Sequence, residues 1–307
     1  MLKIFARRIL VSIPVLIAVA SLTFFLIKLA PGGPFDADRA VSPQVMKNLN
    51  DAYNLNASEW DQYKDYMTGV IQGDFGPSFR YPGRSVTEMI GTGLPVTFEL
   101  AFYAMLVALF VGIISGVIAA LKRNTYFDFI PMAFAMIGIC VPTFLMGPLL
   151  VLIFGITLEV LPVSGWGQLP GDKLLPSLTL GFAYAAYIAR LSRGGMLEVL
   201  NQDFIRTARS KGLPEHKVVI KHAMQGGLIP VVAFMGPAIA GLLSGSFVVE
   251  TIFQIPGLGR FYVEAAFNRD YTMILGTTIF FSAMIVFFNL LSDLASLWLN
   301  PRSRDSS

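Results

Sequence analysis

What most restricts the folds open to this chain is a set of six apolar runs, each near the length that crosses a bilayer. Backbone amides and carbonyls find no water in hydrocarbon, so such runs must become helices or a closed barrel. The runs are residues 9–27, 97–121, 127–158, 174–189, 228–249 and 273–297. About 20 helical residues at roughly 1.5 Å each match a hydrocarbon layer of about 30 Å. The first run has 19 residues, longer than the roughly 7–15 of a cleavable leader. It reads as a retained span that stops at Leu29-Ala-Pro-Gly-Gly-Pro34. The third is longer than one crossing needs and holds Pro131, Pro142 and Pro148, which predicts a tilt or kink. Only 14% of the 307 residues are charged, against about 25% in soluble domains. The expected fold is an all-α integral membrane protein with six transmembrane helices and both termini on one side.

Charge decides which side. Fourteen Lys and Arg fall on the side of the N-terminus and eight on the other, so the positive-inside rule puts both termini in the cytoplasm. The chain then divides into residues 1–34 with the first span and 35–95 as an extracytoplasmic segment. Residues 96–300 form a five-span core with a cytoplasmic loop at about 190–227, and 301–307 form a cytoplasmic tail. Trp60, Tyr63 and Met67 give the extracytoplasmic segment helical spacing. Gly112-xxx-Gly116 and Gly241-xxx-Gly245 allow close helix approach in the second and fifth spans. The single Cys140 can form no intrachain disulfide, shows no metal pattern, and reads as a small buried residue in an apolar run.

Residues 204–223 break the oily pattern. From Ser192 to Lys211, Met196, Leu200, Phe204 and Ala208 recur every four residues and predict one helix with an apolar stripe, with Arg206 and Arg209 off it. Gly212 suits the left-handed C′ position of that helix. Pro214 and Glu215 suit the start of a second one, on which Lys217 and Lys221 lie one turn apart. This helix–turn–helix is either a solvated basic loop touching anionic lipid or a docking element for a cytoplasmic partner. After the fifth span, Pro256-Gly257 turns the chain into a segment with Leu258, Phe261, Tyr262, Ala265 and Ala266 at amphipathic spacing. That segment is either a hydrophobic cap on the bundle or a functional surface element.

Chemistry is constrained mainly by what is missing. The sequence has no G-x-x-x-x-G-K-[ST] phosphate loop, no G-x-S-x-G, no H-E-x-x-H and no close Cys/His cluster. His216 and His222 are six residues apart, about 240° round a helix, and cannot share a metal from one face. Lys28 and Glu99 lie near span ends, where they can reach water. The chain of buried carboxylates expected of a proton-coupled carrier is absent from the spans as drawn.

Arg206-Thr-Ala-Arg-Ser-Lys-Gly-Leu213, followed by His222-Ala223 and Ile229-Pro230, resembles the EAA loop of bacterial ABC importer permeases in its peptide-transporting form. Leu29-Ala-Pro-Gly-Gly-Pro34, Gly73-Asp-Phe-Gly-Pro-Ser78, Gly116-Val-Ile-Ala-Ala-Leu-Lys122, Glu250-Thr-Ile-Phe-Gln-Ile-Pro-Gly-Leu-Gly259 and Asn268-Arg-Asp-Tyr271 extend the likeness over nearly the whole chain. Only Ala208 and Gly212 match the loop's general pattern; the remainder matches the peptide branch, most of all its B-type oligopeptide subunit. The resemblance implies an ABC importer permease fold in the inner (plasma) membrane, moving peptide by alternating access. It implies a coupling helix docking on a separate ATPase through Arg206, Thr207, Ala208, Arg209, Lys211, Gly212, Leu213, Pro214, Lys217, Lys221 and His222. The segment after the fifth span becomes an outer gate or binding-protein contact carrying Pro256, Gly257, Arg260, Phe261, Glu264, Arg269 and Asp270. Ser177, Thr179, Ser244 and Ser246 become contributors to a translocation path. The implied partners are a homologous second permease in a heterodimer, two ATPase subunits that use ATP and Mg, an extracytoplasmic peptide-binding protein, the lipid bilayer and the peptide. No cofactor bound by this chain, no metal and no nucleic acid are expected. Dipeptides, glutathione or a nickel chelate are alternative cargoes, and an ATP-independent secondary peptide transporter is the rival of a different class.

Overall fold

Every regular element among the described residues of the computed structural model is helical, apart from one isolated bridge between Pro77 and Ser85. The structure describes residues 2–30, 33–35, 44, 47 and 53–299. Pro31, Gly32, Arg39 and the tail at 301–307 lie outside the described residues. The helices are α1 (Leu2–Leu29), α2 (Glu59–Ile71), α3 (Val86–Leu121), α4 (Tyr126–Cys140) and α5 (Thr143–Leu150), which continues as a π-helical stretch, Val151–Thr157. Then come α6 (Leu174–Leu200), α7 (Asp203–Ser210), α8 (Glu215–Lys217), a second π-helical stretch (Val218–Ala223) and α9 (Met224–Gly227). The chain ends with α10 (Ile229–Ile252), α11 (Leu258–Asn268) and α12 (Tyr271–Leu299).

The second span begins earlier than its apolar run. Ser85 caps α3 by accepting the Glu88 amide at 3.1 Å, as a Ser-x-x-Glu start allows, so Pro95 lies inside the helix. The 36 residues of α3 rise about 54 Å, and its first turns extend past the hydrocarbon layer. α3 and α6 form the central pair. A Cβ at Gly112 would sit 2.7 Å from the Ala185 carbonyl oxygen, and one at Gly116 only 2.4 Å from that of Ala189. Gly181 returns the fit, facing the Ala104 carbonyl at 2.5 Å. The second glycine pair divides: Gly241 sits under the Tyr184 hydroxyl, whereas Gly245 faces open space.

The third span is broken, and more sharply than a kink. α4 and the segment Thr143–Thr157 meet at 112°, because Val141 and Pro142 both take extended backbone and Pro142 has no amide to continue the helix. Cys140, at this corner, is exposed and not buried as its apolar context predicted. Ion pairs mark the two ends of α6, which packs beside this bent pair. Arg193 of α6 holds Asp128, near the start of α4, at 2.6 Å, while Glu99 holds Lys173, just before α6, at 2.5 Å. Twenty residues of α6 separate those two anchors, about 30 Å of rise. Among the described residues five helices are long and apolar enough to cross a membrane, and the bent pair, counted as one span, makes six. Met196, Ile205, Ala208, Val218, Val219 and Ala223 pack with Ala120 at the basic end, where α3 finishes.

At the opposite end α2 lies against α1. The Ser21 and Tyr63 hydroxyls are 2.7 Å apart, Lys28 donates to Gln62 at 2.5 Å, and Phe24 meets the Tyr63 ring edge-on. Lys28 therefore has a protein partner and does not simply reach for water. α12 runs back to the basic end, with the Ser292 hydroxyl donating to the Ala233 carbonyl at 2.9 Å.

Candidate functional site

The predicted single helix over 192–211 is two helices. Gln202 takes extended backbone (φ −75°, ψ 151°) between α6 and α7, and this break shifts the register of the apolar face. Ile205 is fully buried with Ala208, while Phe204, assigned to the stripe by spacing alone, is 52% exposed. α7 ends as its sequence predicts. Gly212 has φ +76°, its amide donates to the Arg209 carbonyl at 2.9 Å, and the Leu213 amide donates to the Ala208 carbonyl at 3.4 Å. These two bonds complete a Schellman motif.

A charged clamp closes the turn. Arg209 donates to both oxygens of Glu215, at 3.1 and 2.6 Å, and this bond holds the Glu215 carboxyl below its ordinary value. Arg206 makes only an exposed 3.5 Å contact with Asp203. Thr207, Lys211, Pro214, Lys217 and Lys221 are exposed, and His222 is half-buried. The outcome is a backed, rigid turn that shows water three apolar side chains, Phe204, Leu213 and Ile220, within a ring of positive charge.

At the opposite end sits a buried acid that the sequence reading passed over. Glu250 is fully buried within α10. Its Oε1 accepts Thr97 Oγ1 and Ser246 Oγ, both at 2.8 Å, and its Oε2 accepts the Arg260 amide at 2.9 Å. The Gly259 amide also donates to this carboxylate, and Thr97 accepts the Leu258 amide at 2.9 Å. One carboxylate thus joins α3, α10 and the N-terminus of α11, where the helix dipole favours negative charge. Only glycine fits beside it, since a Cβ at Gly257 would lie 2.4 Å from Oε2. The signal was present in Glu250-x₆-Gly257-x-Gly259, but an apolar run drawn to residue 249 excludes the acid.

α11 forms where the amphipathic spacing predicts, although Ala266 points outward. Arg260 pairs with Glu264 at 2.8 Å, and Tyr81 donates its hydroxyl to Glu264 at 3.0 Å. Pro256 and Arg269 are exposed, Phe261 is half-buried and Gly257 is buried. Asp270 is 1% exposed and so is not a surface contact. It caps α12 through the Met273 amide at 3.2 Å and gathers the 78–80 loop through the Ser78 hydroxyl and the Phe79 amide. Ser177, Thr179 and Ser246 are buried, and Ser244 is half-buried. Ser177, Thr179 and Ser244 each donate the hydroxyl to the carbonyl four residues back, and Ser246 shares its proton between the Leu243 carbonyl and Glu250. Among the described residues no group of three or more His, Cys, Asp or Glu could hold a metal.

The family described as "Binding-protein-dependent transport system inner membrane component" matches residues 108–305, and its N-terminal companion matches residues 1–101. This chain belongs to that permease family. The family's inner-membrane location accords with the five long apolar helices and the bent pair. Among its relatives, the oligopeptide transport system permease protein OppB of Salmonella typhimurium is 44% identical over 305 residues, 99% of this chain and 100% of that one. The dipeptide transport system permease protein DppB of Bacillus subtilis is 42% identical, covering 94% of this chain and 93% of its own. A solved inward-facing MetNI methionine ABC transporter shares the fold, with a TM-score of 0.59 at 15% identity over 69% of this chain and 96% of its own. As a permease of this family, the chain carries its two candidate sites at opposite ends of the same bundle.

Proposed function

We propose that this chain is the membrane-spanning subunit of an ATP-driven importer of oligopeptides, and that the Gly212 turn docks in a groove of a separate ATPase subunit. The observation that carries the reading is the exposed Phe204, Leu213 and Ile220 on a segment backed by the buried Ile205, Ala208, Val218 and Val219. Apolar groups presented to water on a firmly packed support suit a protein interface with an aromatic anchor, and Arg206, Lys211, Lys217 and Lys221 suit an acidic rim. The basic end then faces the cytoplasm, and two such ATPase subunits use ATP and Mg. A second, homologous permease completes the pathway, and α11 with Pro256, Arg260, Phe261, Glu264 and Arg269 meets an extracytoplasmic peptide-binding protein. Oligopeptide is the cargo favoured by the full-length likeness to OppB; the likeness to DppB makes dipeptide the second reading.

The test is uptake of labelled peptides of graded length in cells expressing the permease pair, with and without the ATPase subunits. Uptake that requires the ATPase and persists for peptides longer than two residues is expected. Uptake independent of the ATPase would sink the reading, and uptake confined to dipeptides would replace the cargo.

A further inference from the structure

Two arginines of α6 face one hollow at the basic end, and only one of them is neutralised. Arg193 gives Nε and Nη2 to Asp128, at 2.6 and 2.8 Å, and Asp128 is only 2% exposed. That fork–fork pair consumes the acid. Arg190, one turn earlier, lines the same hollow, is exposed, and makes no hydrogen bond or ion pair among the described residues. Arg123, in the turn leading into α4, is exposed and within electrostatic reach of Asp128. Asp128 is the one acid lining the hollow, so its net charge is positive.

The hollow encloses about 360 Å³, and its wall on α4 is Phe129, Met132 and Met136. Phe129 is 61% and Met136 49% exposed. From Asp128 to Met136 is eight residues, about 12 Å down the helix axis. Charge therefore lies at the mouth, where α4 leaves the basic turn, and an apolar wall continues from it into the hydrocarbon layer. A soluble anion would use the charges and leave the wall idle, whereas a soluble protein could not follow that wall into the membrane.

We propose that this hollow is a binding site for an anionic phospholipid. Its phosphate is held by Arg190 and by the remaining Nη1 of Arg193, and one acyl chain lies along Phe129, Met132 and Met136. Arginine suits the role because its planar fork matches phosphate oxygens, and basic pockets between helices at this level select anionic headgroups. The proposal rests on the membrane crossings and not on the cargo or the ATPase, so it stands or falls separately from the transport reading.

Native mass spectrometry of the full-length chain, titrated with phosphatidylglycerol, phosphatidylcholine or soluble glycerol phosphate, tests it. Phosphatidylglycerol is expected to bind more tightly than phosphatidylcholine, with little binding of glycerol phosphate. Arg190→Gln is expected to lower phosphatidylglycerol affinity about fivefold, the worth of one cation near an anionic surface. Lys217→Gln, a charge change on the coupling segment, should leave it unaltered, and Met136→Gln should weaken it through the apolar wall. Unchanged affinity in Arg190→Gln, an equal loss in Lys217→Gln, or glycerol phosphate binding as tightly as the lipid overturns the proposal. Should Arg190→Gln not yield a folded chain, Arg190→Lys and Met136→Gln decide: retained binding in the first with loss in the second supports the site, and no loss in the second overturns it.

Discussion

Gly212 holds φ at +76°, and a Cβ placed there meets nothing within 4 Å. Any penalty of substitution is therefore conformational and not steric. Left-handed backbone costs an L-residue roughly 1–2 kcal/mol, more when the side chain is β-branched, and asparagine least. Gly212→Val should abolish coupled peptide uptake at normal membrane abundance, while Gly212→Asn retains most of it; equal uptake in the two strains would sink the coupling role. The neighbouring Glu215 carboxyl is held below its ordinary value of 4.5 by Arg209. A lowered carboxyl contributes stability above the unfolded value and loses it as pH falls through the folded one. The clamp is thus complete at neutral pH and opens only in acid. Both its members are about half exposed, so solvent screening keeps its worth small.

Asp128 and Arg193 make a pair with unequal consequences. Asp128 is 2% exposed and Arg193 29%. Arg193→Ala strands a buried carboxylate and should cost about 3–5 kcal/mol. Asp128→Ala leaves a cation that can still reach solvent, and should cost clearly less. Thermal unfolding of the two purified variants in the same detergent measures the order; the reverse order would show that Asp128 is stabilised chiefly by the Asn124 amide, which lies 3.0 Å away.

Among the elements, α11 depends on an acid that belongs to its neighbour. Glu250→Ala leaves the Thr97 hydroxyl and the Arg260 amide without their acceptor, at about 1–3 kcal/mol for each buried group, while Ser246 keeps the Leu243 carbonyl. It should expose the 253–257 turn to protease, with Glu250→Gln intermediate because the carboxamide offers one acceptor oxygen and adds a competing donor. Limited proteolysis in detergent reads this directly, and a wild-type digestion pattern in Glu250→Ala would refute the latch. The α3–α6 pair gives a second test. Gly116→Ala drives a methyl group against the Ala189 carbonyl and should lower the unfolding temperature by the equivalent of roughly 1–3 kcal/mol. Gly245→Ala meets open space and should be neutral or mildly stabilising, since glycine inside a helix costs about 0.5–1 kcal/mol relative to alanine.

At the scale of the molecule, the helical bundle presents one backed basic turn at one end and one latched helix at the other. If the turn is the ATPase dock, Phe204→Asp should abolish co-purification of the ATPase while leaving the permease monodisperse, because Phe204 is 52% exposed and lies outside the buried cluster. Retained co-purification would move the dock elsewhere.

Run lengths, one glycine and a helical stripe were enough for the long apolar helices, the Gly212 turn and the amphipathic α11. Those features are local: a run long enough for the membrane, a glycine where φ must be positive, a stripe with helical period. Four others needed the folded backbone or partners from elsewhere in the chain. The 112° corner after Cys140 arises because two adjacent extended residues end one helix before the next begins. The outward turn of Phe204 follows from the break at Gln202. The burial of Asp270 follows from its capture by a loop 190 residues earlier. The latch at Glu250 needs Thr97, Ser246 and the amides of α11 to converge on one carboxylate. A sequence specifies which groups need partners; only the packed structure decides which partners arrive, because a buried charge or an unpaired hydroxyl is satisfied by whatever the fold brings within 3 Å.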